Sequence, residues 1–197
     1  MALPELARVS PPNAPSRLRQ LADAQGTMAA AWSSAIASGP ILVLAGALMA
    51  VMSGNPAAAL VLAPLGAALM LLALSRWKRV RTTLPNTDRL LSSRGPGSAR
   101  GGIAMVSFLV ALLGGILAIY LPSAIAKGDG AATTLVGAFA LIVAILAACI
   151  VVPSTVIGRA RESFRRRVRT DPALRKALEE DLATWRDPYG NAAYGPL

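Results

Sequence analysis

The sequence predicts an all-α polytopic membrane protein, with four transmembrane helices in two antiparallel hairpins and a cytoplasmic amphipathic C-terminal helix. Three observations predict this fold. The chain of 197 residues is 54% hydrophobic and only 15% charged, whereas an ordinary soluble domain carries roughly 25% charged residues. The apolar residues fall into four long blocks without a single Asp, Glu, Lys or Arg. The net charge of +10 comes from Lys and Arg residues that gather at one set of block ends.

The four apolar blocks have the length of membrane spans, because a bilayer core about 30 Å thick needs about 20 apolar residues per helix. They are apolar on all sides, whereas a helix of a soluble bundle keeps a polar stripe toward water. We therefore expect a transmembrane domain over residues 28–152, between an N-terminal tail (1–27) and a basic, amphipathic helical tail (153–197). The predicted spans are residues 28–52, 57–75, 103–126 and 131–152.

The connections between the blocks predict the topology. Short turns at residues 53–56 and 127–130 force neighbouring helices to run antiparallel, and such turns belong at the membrane surface. Three Lys and Arg residues precede the first block, seven lie in the loop 76–102, nine follow the fourth block, and the two turns contain only Lys127. By the positive-inside rule, both termini and the 76–102 loop are cytoplasmic. We expect a multi-pass protein of a bacterial inner membrane.

Small residues recur at four-residue spacing within the blocks. Because lipid is as apolar as leucine, membrane helices associate through close packing of such residues. We expect these rows to pack the four-helix core; the alternative is that they form oligomer or partner interfaces. Pro40 and Pro64 lie inside the first two blocks, where a kink is expected. The predicted helix-packing residues are Gly46, Ala50, Ala59, Ala63, Ala67, Ala111, Gly115, Ala140, Ala144 and Ala148.

Basic segments next to the blocks predict contact with anionic lipids. Trp77 among cations at a helix end is typical of an interfacial anchor. A basic amphipathic helix is expected over residues 154–169, and a short interfacial helix over residues 16–24. Nucleic acid is the alternative partner for the arginines of residues 154–169, but a recognisable binding motif is absent from the sequence. The predicted lipid-headgroup residues are Arg76, Trp77, Lys78, Arg79, Arg81, Arg159, Arg161, Arg165, Arg166, Arg167 and Arg169.

An acidic amphipathic helix is expected over residues 172–186. Asp171 is a typical N-cap, and Pro172 suits the first helical position. The segment 170–197 carries a net charge of −2, so its apolar stripe suits protein better than lipid. It either folds back on the chain's own arginines or docks on a neighbour. The predicted partner-binding residues are Leu174, Leu178, Leu182, Trp185, Tyr189 and Tyr194.

Enzymatic chemistry cannot be assembled from this sequence. There is no histidine, and the four predicted spans contain no ionisable residue that would mark an ion or proton pathway. The single cysteine, Cys149, has no second thiol or histidine with which to form a disulfide or a metal site. We therefore expect no catalytic residue, no cofactor and no metal.

These features favour a non-catalytic accessory or scaffolding subunit of a larger membrane protein complex. Its expected partners are other membrane subunits or further copies of the chain, together with anionic lipids. Two alternatives stay open. One is a membrane-permeabilising or pore-forming protein, which resembles holins in its small size, several spans and basic C-terminal tail. The other is a small transporter or flippase for an apolar or lipid substrate, with Pro40 and Pro64 framing a cleft.

Overall fold

The computed structural model describes residues 16–85, 96–128, 130–186, 194–195 and 197, together with the backbone but not the side chains of residues 81–82. Within this part of the chain the fold is all-α, and four helices are long and apolar enough to cross a membrane. The predicted fold class is therefore confirmed. In chain order the elements are α1 (Arg17–Ser53), α2 (Ala57–Thr82), α3 (Ala99–Lys127), α4 (Ala131–Leu146), a π-helical segment (Ala147–Val151), α5 (Val152–Gly158), α6 (Ala160–Thr170) and α7 (Pro172–Thr184).

Tight turns join α1 to α2 and α3 to α4, as predicted. Gly54 ends α1 with φ of 65°, and Gly128 and Gly130 flank the second turn with φ of 68° and 74°. These left-handed conformations favour glycine because it has no Cβ. The Asn55 side-chain oxygen accepts a hydrogen bond of 2.9 Å from the backbone N–H of Ala57, which begins α2.

The spanning helices lie in an open row. α2 packs along α1, α1 packs against the continuous α4–α5 helix, and that helix packs against α3. Within the described residues α2 and α3, at the two edges of the row, make no substantial contact with each other. Only 6–11% of the most apolar window of each span is buried inside the chain. Most of the spanning surface is therefore left for lipid or for other proteins.

α1 is longer than its predicted span, because it begins at Arg17 and not near residue 28. The Ser16 hydroxyl accepts a hydrogen bond of 3.3 Å from the backbone N–H of Arg19 and so caps the helix. No proline interrupts the chain between Ser16 and Pro40. The segment expected to form a separate interfacial helix over residues 16–24 is instead the beginning of α1.

Pro153 shapes the end of the fourth span. Proline has no N–H to donate and its ring collides with the carbonyl four residues earlier. The helix accommodates this by widening into the π-helical segment Ala147–Val151, after which α5 continues to Gly158. The chain then breaks at Arg159, where φ is −106° and ψ is 5°. The basic stretch after the fourth span therefore forms two helices, α5 and α6, where a single helix was expected.

A compact apolar cluster covers one end of the row. This end, which we call the basic end, is where α1 and α3 begin and where α2 and α5 stop. There α6 and α7 fold back against the first turns of α1. We call the buried residues the cap cluster, and they are Leu18, Leu21, Ala22, Phe164, Val168, Leu174, Leu178, Tyr194 and Leu197.

Candidate functional site

A cleft of about 630 Å³ lies at the basic end, between α1, α2, α5 and α6. We call it the interfacial cleft. Its volume falls within the range of small-molecule sites, about 300–1,000 Å³. One part of its lining is apolar and the other part is polar or charged. The lining residues are Gln25, Gly26, Ala29, Trp77, Val80, Thr155, Val156, Arg159, Ala160, Glu162, Ser163, Arg166 and Arg167.

The cleft straddles the ends of two spans. The second candidate span stops at Val80 and the fourth stops at Gly158. Trp77 and Val156 therefore line the cleft from within the spans, whereas Arg166 lines it from α6, beyond them. The cleft thus lies at the level where apolar helix surface gives way to charge.

A glycine contact allows α6 to approach α1. A Cβ added to Gly26 would collide with the Cβ of Ala160. The two helices therefore meet at backbone distance, which only a residue without a side chain permits. Gly26 lay outside the predicted packing rows because its partner lies in a distant helix.

Gln25 joins three helices next to this contact. Its side chain is 1% exposed, and its amide nitrogen donates to the backbone carbonyl of Val80 at 2.8 Å. Its amide oxygen accepts from the guanidinium of Arg167 at 3.0 Å. α1, the end of α2 and α6 are therefore held together by one buried side chain. Gln25 is not among the predicted site residues, because a lone polar residue in the sequence carries no signal for such a role.

Three of the predicted headgroup arginines on α6 bond within the chain. Arg161 forms two hydrogen bonds with the carboxylate of Asp23, at 2.9 and 2.8 Å. The hydrogen bond that Arg161 donates to Asp23 raises the pKa of Arg161, against a smaller opposing effect of burial. Arg165 donates to the main-chain oxygen of Leu197 at 3.5 Å. Arg167, the third, donates a hydrogen bond to the side-chain oxygen of Gln25.

Arg159 and Arg166 present their charge to the cleft. Arg159 is exposed and makes no ion pair within the described part of the chain. Arg166 lies 3.8 Å from Glu162, and both side chains are more than 70% exposed, so this pair contributes little. Arg169 is exposed on α6 outside the cleft lining.

The other predicted headgroup residues lie at the end of α2. Arg76, Lys78 and Arg79 are exposed there, and Trp77 lines the cleft. The side chain of Arg81 and all of Tyr189 lie outside what the structure describes.

The stripe predicted to bind a partner is largely covered by the chain itself. Leu174 and Leu178 are fully buried in the cap cluster. The Tyr194 hydroxyl donates to the main-chain oxygen of Leu178 at 3.0 Å and approaches the Asp181 carboxylate at 3.2 Å. In this structure Leu174, Leu178 and Tyr194 are therefore not available to a partner, and the fold-back alternative describes them.

The stripe is buried because α7 makes ionic and aromatic contacts with other parts of the same chain. Arg17 of α1 forms two bonds with the carboxylate of Asp181, at 3.1 and 3.3 Å, with both side chains at most 20% exposed. The ring of Trp185 meets that of Tyr194 edge to face, with centroids 5.7 Å apart. Leu182 remains exposed.

The predicted small-residue rows divide into covered and open positions. A Cβ on Gly46 would lie 3.2 Å from the Cα of Ala59, so these two predicted residues meet in the α1–α2 contact. Of the other covered positions, Ala148 is buried and the rest are partly buried, namely Ala50, Ala63 and Ala144. The open positions are Ala67, Ala111, Gly115 and Ala140.

Two further close contacts were absent from the predicted rows. A Cβ on Gly39 would lie 2.8 Å from the carbonyl oxygen of Gly66, so α1 and α2 touch backbone to backbone. A Cβ on Gly102 would lie 2.7 Å from that of Ser154, between α3 and α5. Gly39 and Gly66 each lie within two residues of a helix proline. The predicted rows rest on four-residue spacing and therefore do not include this pair.

Comparison of the chain with protein-family models, curated proteins and solved structures finds no match.

Proposed function

We propose that the protein is a non-catalytic accessory or scaffolding subunit of a larger membrane assembly. In this proposal both tails and the 76–102 loop face the cytoplasm of a bacterial cell, because 19 of the 20 Lys and Arg residues belong to these segments. The observation that carries the proposed role is the open row of spans, in which α3 is an edge helix with an uncovered small-residue face.

That face is suited to another helix. Ala111 and Gly115 lie four residues apart on α3 and both are exposed. A Cβ added to Gly115 would meet no atom within 4 Å. Small residues let helix backbones approach closely, and such approach is what holds membrane helices together in lipid. In the chain by itself this potential contact is unused, which supports an interface with another subunit or a second copy.

The two alternatives make different demands. The transporter alternative places a substrate cleft between Pro40 and Pro64, but Gly39 and Gly66 are in backbone contact there and both proline rings are exposed. The pore-forming alternative also needs association through α3, and it differs in its consequence, which is loss of the membrane potential when expression is induced. Loss of potential would therefore favour that alternative over a scaffolding role.

The test is association in mild detergent. Replacing Ala111→Leu and Gly115→Leu together puts two bulky side chains on the open face without a clash inside the chain. We expect the native protein to migrate with additional mass, and the double variant to lose most of that mass while keeping its helical content. Native mass measurement with identification of co-purifying chains gives the readout.

The matched control places the same two leucines at exposed alanines outside the predicted rows, as Ala47→Leu on α1 with Ala68→Leu on α2. The control should keep its associated mass. Migration of the native protein as a lone chain of 20.3 kDa after gentle extraction would contradict the proposal.

A further inference from the structure

We infer that the interfacial cleft binds the phosphate headgroup of an anionic phospholipid, with Arg159 and Arg166 as the cations that contact the phosphate. Trp77 and Val156 then contact the glycerol and upper acyl region. This inference concerns a ligand and stands independently of the proposed subunit role.

The first argument is the depth of the cleft. Part of its apolar lining, Trp77, Val80 and Val156, belongs to the last turns of two candidate spans, which end at Val80 and Gly158. Its charged lining begins directly after them, at Arg159. A phospholipid has the same order of parts, because its phosphate lies just outside its acyl chains. Trp at this level is the residue that interfaces favour.

The second argument is charge. The lining contains Arg159, Arg166 and Arg167 against the single acid Glu162. Arg167 is bonded to the Gln25 amide, and the contact of Arg166 with Glu162 is long and exposed. Two guanidinium groups are therefore left for an anion, and guanidinium binds phosphate through paired N–H donors.

The third argument is selectivity among the arginines of the chain. A diffuse electrostatic surface would use all the exposed cations alike. Here the chain commits Arg161 to Asp23 and Arg165 to Leu197, which leaves Arg159 and Arg166 as the α5–α6 cations that border the interfacial cleft. The cleft is therefore distinct from the general attraction of a basic segment to a membrane.

The experiment uses Trp77 as the reporter. Trp32→Phe and Trp185→Phe leave Trp77 as the sole tryptophan of the full chain, which contains three. This protein is reconstituted in phosphatidylcholine bilayers that contain a minor fraction of brominated phosphatidylglycerol or brominated phosphatidylcholine. We expect phosphatidylglycerol to quench Trp77 at about thirtyfold lower mole fraction, as two arginines at the membrane surface imply.

Matched variants distinguish binding in the interfacial cleft from the general attraction of a basic surface to anionic lipid. Arg159→Gln with Arg166→Gln should bring the two lipids to equal quenching. Arg169→Gln with Lys176→Gln removes the same charge from exposed positions outside the cleft and should keep the preference. A third variant, Ala29→Leu, fills the cleft and should weaken quenching although every cation remains.

Three results would overturn the inference. The first is equal quenching by the two lipids in the native cleft. The second is an equal loss of preference in the cleft variant and in its charge-matched control. The third is relief of quenching by inorganic phosphate at the concentration of the lipid, which would assign the cleft to a soluble anion.

Discussion

Single polar side chains organise the basic end at the residue scale. Gln25 reaches the carbonyl of Val80, 55 residues away in sequence, and a buried amide has to be satisfied in this way. Tyr194 plays a comparable part next to α7, because its hydroxyl bonds to the main-chain oxygen of Leu178 and to the carboxylate of Asp181. Neither role could be predicted from the sequence, since each acceptor becomes a neighbour only after the helices pack.

Tyr194 makes the cap cluster sensitive to alkaline pH. Burial raises the pKa of Tyr194 above its ordinary value of 10.0, and the nearby charge of Asp181 raises it further. The neutral phenol is therefore the form that the folded cap favours. The neutral phenol therefore stabilises the cap cluster in full below pH 10, and this stabilisation is lost as the pH rises above that value. We expect the emission of Trp185, measured with Trp32→Phe and Trp77→Phe, to change in that alkaline range.

The variant Tyr194→Phe tests this prediction. It removes the hydroxyl from two acceptors and should lower the free energy of unfolding of the cap by about 1 kcal/mol. It should also remove the alkaline transition that belongs to this phenol. Tyr120→Phe makes the same chemical change at an exposed position of α3 and serves as the control. An alkaline transition that is unchanged in Tyr194→Phe would contradict the assignment.

The four spans, the turns within the two hairpins and the Asp171 cap were the most predictable features at the scale of the element. An uncharged run of about 20 residues dictates a span, and the Asp171 carboxylate caps α7 by accepting from the N–H groups of Ala173 and Leu174. The extension of α1 back to Arg17 could not be predicted with equal ease. Its first turns are stabilised by packing against α6 and α7, a tertiary effect that outweighs local signals.

The contact between α1 and α6 should depend on the absence of a side chain at Gly26. The variant Gly26→Ala puts a Cβ onto Ala160, and the helices must separate, at a cost of about 1–3 kcal/mol in the free energy of unfolding. Detergent-solubilised protein unfolded by heat, followed by circular dichroism, would measure this loss.

A second glycine provides the control for that substitution. Gly114→Ala lies within α3, where the added Cβ would make only an ordinary contact of 3.9 Å with Phe139. Because alanine is the better helix former, this control should be neutral or slightly stabilising. Equal stability of Gly26→Ala and Gly114→Ala would mean that α6 does not approach α1 as closely as the structure has it.

At the scale of the whole molecule, positive charge is distributed unequally between the two ends of the spans. Within the described residues, the Lys and Arg side chains are concentrated at the basic end, and the opposite end carries Lys127 alone. What composition could not predict is how the cations are used. Packing neutralises Arg161 with Asp23 and Arg17 with Asp181, and it leaves others around the interfacial cleft.

The orientation of the whole chain can be tested with two single-cysteine variants. After Cys149→Ser, a thiol is introduced by Asn55→Cys in the first turn or by Gly97→Cys before α3, both at exposed positions. The positive-inside rule predicts that a membrane-impermeant maleimide labels Asn55→Cys in intact cells. Gly97→Cys should react only after the cells are opened, and the reverse pattern would contradict the proposed topology.

The length of α1 has a mechanical consequence. A helix of 37 residues is about 55 Å long, well beyond the hydrocarbon thickness of about 30 Å. It contacts Gly66 of α2 within the spans and contacts α6 and α7 near its beginning, so one helix that contains Pro40 joins the membrane part to the cap cluster. Helices tilt when bilayer thickness changes, so we expect the cap cluster, which packs on the first turns of α1, to be displaced in a thinner bilayer.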